Sequence, residues 1–451
     1  MPRFRLVPDP VRRYSAVMKP RLLLNRREFL ALSGAAAAAA STGCVTNPVT
    51  GRSQFMLVSE QQEIELDRDH APHQFSADYG PLQDGAVNAY VDEVGRAIVG
   101  VSHRTHLPYS FRALNAVHVN AYTFPAGSVG VTRGILLAMQ DEAELAALLG
   151  HEAAHVNCRH MASRQSKALV TQLALVAVVG AAALKDEKYA MLAAGLGQLG
   201  SGLLLANYSR ADERQADQWG HHYLVKAGFH PAGMAHLMER LMALHDREPG
   251  VLEVMFSSHP MSRERYDAAV LRNSTEYAAF QGQKAGRERY QDLTAGIRAQ
   301  QETIVALQNG LEALGAQQTG EAERQFQTAL RAQPRDYAGL LLMAKLKLAM
   351  RQYEAAQEFA ERAKTVYPGE AQALHVAGLA ALNRRQLDAA LADFTAYETR
   401  LPGNPALAFY RGVTLDRMGR REAAAGEYQR FLQGGGSGAE ADAAVSRLTD
   451  W

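Results

Sequence analysis

The chain has 451 residues, more than one compact core usually occupies, so two or more domains are expected. Hydrophobic residues make up 47% and charged residues 21%, an ordinary globular balance that argues against wholesale disorder. Lys+Arg at 48 against Asp+Glu at 47 leaves a formal +1, which excludes a nucleic-acid binder relying on a strongly basic surface. Two cysteines, Cys44 and Cys158, exclude a disulfide-stapled scaffold and a four-cysteine zinc site, while a single Cys44–Cys158 bridge stays open on counting alone.

Residues 1–43 read as an export signal. A basic start precedes a short apolar run from Phe29 to Ala40, and small residues lead up to Cys44. Arg26-Arg27-Glu28-Phe29-Leu30 resembles a twin-arginine signal. Ser41-Thr42-Gly43-Cys44 resembles a lipobox, with Ser41 where Leu is usual. That resemblance implies acylation of Cys44 and a periplasmic protein tethered to the outer membrane. The alternative is ordinary cleavage near Ala40, with Cys44 unmodified; Met18 offers a second start. The segment carries eight basic and two acidic residues, so 44–451 hold 40 basic and 45 acidic, a formal −5.

Further along, Val117–Phe124 alternates and is rich in strand formers, ends at Pro125-Ala126-Gly127, and is followed by Ser128–Thr132. The pattern predicts a hairpin-like pair of strands, either at a sheet edge or internal. The next segment, Asp141–Leu149, has acidic residues in a first turn and good helix formers after it. This helix runs into His151-Glu152-Ala153-Ala154-His155, an HExxH motif. Residues i and i+4 share a helix face, so His151 and His155 can address one ion with Glu152 beside it. Two surface histidines bracketing a solvated glutamate would give the same letters.

A metal needs a third ligand, and Glu213 is the candidate, with Asp217 one turn on to accept the other ring proton of a liganding histidine. A solvated face of Glu213, Asp217 and arginines is the plainer alternative. His118 and His160 are not expected to be ligands; His160 lies five residues past His155, off its face. Cys158 reads as a buried free thiol. Two apolar runs, Ala168–Leu184 and Met191–Ala206, are divided by Lys185–Lys188 and read as a helical hairpin packed on the protein or a membrane-facing lid.

HExxH, about sixty residues of separation, ExxxD at Glu213–Asp217, then Ser257-Ser258-His259-Pro260 and Arg265, together resemble the M48 peptidase family. The similarity is greatest to its periplasmic, repeat-bearing members, the BepA-like outer-membrane assembly proteases, and covers about Cys44 to Asn273. The resemblance implies an α+β zincin-like metalloprotease domain, mainly helical with a small sheet. It implies one Zn2+ per chain on His151, His155 and Glu213, with Glu152 as general base. In BepA-like proteins the residue matching His259 can reach the metal, so His259 is either a fourth ligand that shuts the site or an oxyanion donor. Arg265 and Tyr208 are further donor candidates. The Asn120–Phe124 strand resembles the family's substrate-aligning edge, with Tyr122 where Phe is common.

From Thr303 the chain repeats every 34 residues. Pro334, Pro368 and Pro402 mark the period, as do Ala322, Ala356, Ala390 and Ala424, and Gly310, Ala344, Gly378 and Gly412. Phe326, Ala360, Phe394 and Tyr428 make a further column. This is the tetratricopeptide (TPR) pattern of paired helices, predicting an all-α solenoid of four units over 303–438 behind a connection at 274–302, with a cap over 439–451. Such arrays bind proteins or peptides. Two functions follow: a zinc endopeptidase guided by its repeats to misassembled envelope proteins and to outer-membrane assembly machinery, or a largely latent protease acting as an assembly adaptor.

Overall fold

The computed structural model describes residues 44–169, 171, 207–247 and 249–450. The export signal and most of the two apolar runs fall outside these residues. Among the described residues no helix is long and apolar enough to cross a membrane. Both cysteines are free, Cys44 exposed and Cys158 buried.

Helix α1 (Glu60–Ala77) begins at a capping box in which Ser59 and Gln62 each satisfy the other's backbone amide. It is followed by α2 (Gly85–Val99) and a three-stranded sheet: β1 (Ser110–Leu114), β2 (Ala121–Thr123) and β3 (Ser128–Thr132). The strand order is β1-β3-β2, with β1 parallel and β2 antiparallel to β3. The expected hairpin is therefore β2–β3. Its turn is pinned by α1, where Asp67 accepts the amides of Ala126 (2.8 Å) and Ser128 (3.0 Å). Gly127 sits at φ +100° against the Tyr109 ring, a place no side chain would fit.

After the short α3 (Arg133–Ala138) comes α4 (Glu142–Asn157), every residue of which is buried. Its flanking helices are α5 (Arg210–Lys226), α6 (Gly233–Arg247), α7 (Pro249–Ser258) and α8 (Arg263–Ser274). Within that burial Glu144 is neutralised by Arg240 at 2.7 Å and Glu142 by Arg289. Burial of these charges is tolerable because each has its partner.

Two short helices, α9 (Arg287–Leu293) and α10 (Ala295–Ala299), lead into four antiparallel pairs. These are α11 (Gln301–Gly315) with α12 (Thr319–Ala332), α13 (Tyr337–Ala349) with α14 (Tyr353–Val366), α15 (Gln372–Asn383) with α16 (Leu387–Arg400), and α17 (Pro405–Arg417) with α18 (Arg421–Gln433). Helix α19 (Gly438–Thr449) covers the last pair. The fold is thus a mainly helical domain with a small sheet, followed by an all-α TPR region.

The repeat columns have a direct packing cause. A Cβ at Gly378 would lie 2.5 Å from Phe394 and one at Gly412 would lie 2.8 Å from Tyr428, and Gly310 faces Phe326 in the same way. Where the second unit has Ala344 on one helix, it has Ala360 rather than a ring on the other, and both are fully buried. Small against large, or small against small, keeps the two helices of a pair at one spacing.

The first units of the array share the core of the preceding domain: one apolar cluster runs from Tyr79 through Leu148 to Ala377. At its polar seam Arg133 makes two parallel bonds to Asp336, 2.6 and 2.9 Å, both side chains nearly fully buried. Gln308 donates to the Val117 carbonyl at 2.6 Å, and Ser76 bonds Glu370. The array is therefore built onto the preceding domain, not strung from it.

Candidate metal centre

The site begins with a helix crossing. A Cβ at Gly150 would stand 2.8 Å from the Gly220 carbonyl oxygen, and one at Gly220 would stand 2.8 Å from the His151 amide nitrogen. Only two glycines let the backbones of α4 and α5 approach so closely. That contact brings Glu213, two turns earlier on α5, against His151 and His155. Ser209 starts α5 with a capping box to Asp212, which sets where Glu213 falls on the inward face.

His151, His155, Glu213 and His259 are all buried, and one donor atom from each lies within 4.8 Å of all the others. His155 Nε2 is 3.0 Å from His151 Nε2 and 3.3 Å from Glu213 Oε1. His259 Nδ1 is 3.1 Å from Glu213 Oε1 and 3.4 Å from His151 Nε2. Three imidazole nitrogens and one carboxylate oxygen converging on a single point make a donor set suited to zinc. Glu152 stands beside it: Oε1 is 3.7 Å from His259 Nε2, and the buried Oε2 has no hydrogen-bond partner among the described residues. A buried carboxylate oxygen left in this state fits a group meant to meet something the protein itself lacks.

Electrostatics point the same way. Burial would raise the Glu213 carboxyl, but His259 and His151 hold it well below the usual carboxylate range. Burial opposes charge on His151, yet Glu213 and Asp217 overcome it and raise its pKa to about 10. Burial pushes His155 well below its ordinary value and Glu152 above its own. The cluster thus holds a cation strongly, and a divalent metal can take the place of that proton.

A second layer orients the donors. Asp217 Oδ1 lies 3.1 Å from His151 Nδ1, and Arg265 grips Asp217 through Nε (2.6 Å) and Nη2 (2.7 Å). Arg265 Nη1 donates to the Pro260 carbonyl and lies 2.7 Å from Glu213 Oε2. The guanidinium is committed to these carboxylates, so its donors are turned to Asp217, to Glu213 and to the loop bearing His259. Tyr208 stacks on the His155 ring, centroids 3.8 Å apart, and its amide donates to Ser258.

His118 lies away from this cluster, 3.8 Å from Asp78, and Cys158 caps the end of α4 with its thiol pushed up to about 12 by burial. His160 is the residue whose place was not legible from spacing. Arg159 takes a left-handed turn at φ +57°, held by Glu63 and by its own bond to the Val58 carbonyl at 2.8 Å. That turn folds His160 back until its Nδ1 is 2.9 Å from His155 Nδ1. The buried Glu63 and Arg104 complete the support, Arg104 binding Glu63 and the Val156 carbonyl at the end of α4.

Beside α4, strand β2 lies at the sheet edge among the described residues. Asn120 and Phe124 bond to β3 through the backbone, so the alternation of an antiparallel pair turns the amides and carbonyls of Ala121 and Thr123 away from β3, although both residues are buried. The Tyr122 ring faces α1 instead, its hydroxyl donating to Asp78 at 2.6 Å.

Residues 85–273 match the model of peptidase family M48. The chain is 24% identical over 328 residues to the beta-barrel assembly-enhancing protease of Escherichia coli, covering 67% of this chain and 66% of that one. To the protein of the same name from Yersinia pestis it is 26% identical over 225 residues, 49% of this chain and 46% of that one. To the Escherichia coli metalloprotease LoiP it is 32% identical over 158 residues, 35% of this chain and 60% of that one. The chain spans less than two thirds of the length of each.

Proposed function

With a peptidase M48 domain at residues 85–273, we propose that this protein is a zinc-dependent endopeptidase of misfolded or misassembled cell-envelope proteins. The carrying observation is the convergence of His151, His155 and Glu213 with the unpartnered carboxylate oxygen of Glu152 at one buried point. His151, His155 and Glu213 would hold zinc there, and the ion would supply Lewis acidity toward a peptide carbonyl and toward water.

The chain's own residues do the rest. Glu152, its pKa raised by burial, takes the proton from water and returns it to the leaving nitrogen. Asp217, held by Arg265, fixes the His151 ring; Arg265 thereby acts on ligands rather than on substrate. Ala121 and Thr123 are buried, so an extended peptide would add to strand β2 as a further strand only once the cover over that edge is displaced. Tyr208 or a displaced His259 supplies the donor for the oxyanion.

His259 carries a second feature. Its Nδ1 sits inside the donor cluster; as a fourth ligand it would fill the position that water needs, and activity would then require the Ser257–Pro260 loop to move. This favours a resting enzyme that is shut, and with it the alternative of a largely latent protease serving as an assembly adaptor. The relatives named as beta-barrel assembly-enhancing proteases support outer-membrane proteins and their assembly machinery as targets, recruited by the TPR region. A lipidated Cys44 would hold the protein at the outer membrane from the periplasmic side.

The test is Glu152→Gln. It is expected to keep stoichiometric zinc and lose hydrolysis of a labelled unfolded protein by about 10²–10⁴-fold. Parent-like turnover would remove Glu152 from the mechanism. Restoration of envelope integrity by the same variant would favour the adaptor.

A further inference from the structure

We infer that His160 and Gln215 form a positioning relay that fixes the tautomer of His155. The inference rests on the zinc reading above. His155 Nδ1 lies 2.9 Å from His160 Nδ1, and His160 Nε2 lies 2.7 Å from Gln215 Oε1. Two nitrogens at hydrogen-bond distance need one proton between them, and its owner decides the chemistry. Gln215 Oε1 only accepts, so His160 carries its proton on Nε2. His160 Nδ1 is then a lone pair, and the shared proton belongs to His155 Nδ1. What remains on His155 Nε2 is a lone pair aimed at His151, Glu213 and His259, as a ligand must be.

The opposite arrangement puts a proton on His155 Nε2 and closes the site to a metal. Asp212 disfavours it: its Oδ1 lies 3.8 Å from His160 Nε2, the nitrogen that carries the proton in the ligating arrangement. Tyr208, stacked on His155 at 3.8 Å, holds the ring plane in which the relay works.

The two ligand histidines are therefore oriented by unlike partners. His151 leans on the charged Asp217–Arg265 pair, and His155 on a neutral imidazole that reaches back to α5, the helix that supplies Glu213. The relay ties both ligand-bearing helices together at the metal. It depends on the left-handed Arg159, without which a residue five past His155 would point elsewhere.

Zinc affinity of the full chain, measured by competition with a chromophoric chelator, tests this separately from turnover. Gln215, only half-buried, is the safer site. Gln215→Met removes the acceptor at nearly constant shape and is expected to weaken zinc by about 10–100-fold, while Gln215→Glu keeps an acceptor and stays close to the parent. His160→Leu should behave like Gln215→Met, and His160→Asn, which retains an acceptor near the Nδ1 position, should recover most of the loss. Unchanged affinity in folded Gln215→Met overturns the relay. So does equal loss in Gln215→Met and Gln215→Glu, which would mean that packing alone matters. If the parent itself fails to bind zinc, the metal reading falls, and the relay with it; parent binding with indifferent variants sinks the relay alone.

Discussion

Replacing Gly220 with alanine tests how the site is assembled. The new Cβ would stand 2.8 Å from the His151 nitrogen, 2.9 Å from the Gly150 carbonyl carbon and 2.9 Å from the His151 Cα. All three are backbone atoms of α4, so no side chain can swing aside. Carbon contacts settle at about 3.5–4.0 Å, so α4 and α5 must part by roughly 0.7–1 Å. Overpacking of that kind costs about 1–3 kcal/mol. The alanine returns about 0.5–1 kcal/mol of helix propensity. Net destabilisation of up to about 2.5 kcal/mol is expected. Ligand distances tolerate only about 0.2 Å, so zinc affinity should fall by at least about tenfold. Urea unfolding followed by fluorescence reads the first, because Trp219 lies on α5; chelator competition reads the second. Gly426→Ala is the control: it sits within α18 with nothing near its missing Cβ, and should stabilise by about 0.5–1 kcal/mol. A Gly220→Ala protein with the parent's midpoint and zinc affinity would refute the close crossing as the cause of the site.

The other predictions concern gating and the seam. His259→Ala should raise peptide hydrolysis with zinc retained by the other three donors; a collapse of activity would make His259 a catalytic donor instead. Asp336→Asn leaves the buried Arg133 without its anion and should cost about 3–5 kcal/mol, loosening the array from the preceding domain to limited proteolysis; a protein as resistant as the parent would discount the pair. Burial would raise the Asp336 carboxyl, but Arg133 holds it below its ordinary 3.8. Its stabilisation is therefore complete above pH 3.8 and is lost as the pH falls through the lower folded value, so acid unfolding of the parent should show a contribution there that Asp336→Asn lacks.

Much of the protein was legible in one dimension because its signals are local. The i,i+4 spacing of His151 and His155 is a property of any helix, and the 34-residue columns repeat because every unit solves the same packing problem. Even the hairpin at Pro125–Gly127 announced itself by composition. Glu213 was legible as a carboxylate of suitable type and spacing on its own helix. Its arrival at the histidines was not, since that depends on Gly150 meeting Gly220 across seventy residues.

Arg265 shows the same limit from the other side. Its letter suits an oxyanion donor, yet three-dimensional placement spends its donors on Asp217, Pro260 and the vicinity of Glu213. His160 was set aside because a residue five along leaves the helix face, a rule that holds only while the helix continues. Here the helix stops at Asn157, and the left-handed Arg159 folds the chain back beneath His155. The repeat period likewise foretold an array without saying that its first units would share the core of the preceding domain or that Arg133 would find Asp336. Sequence alone determined which helices form and which faces carry chemistry, because helical spacing follows from the backbone hydrogen bonds of neighbouring residues. Only the tertiary structure decided which of those faces meet, because a meeting depends on backbone shape and buried charge contributed by segments far apart in the chain.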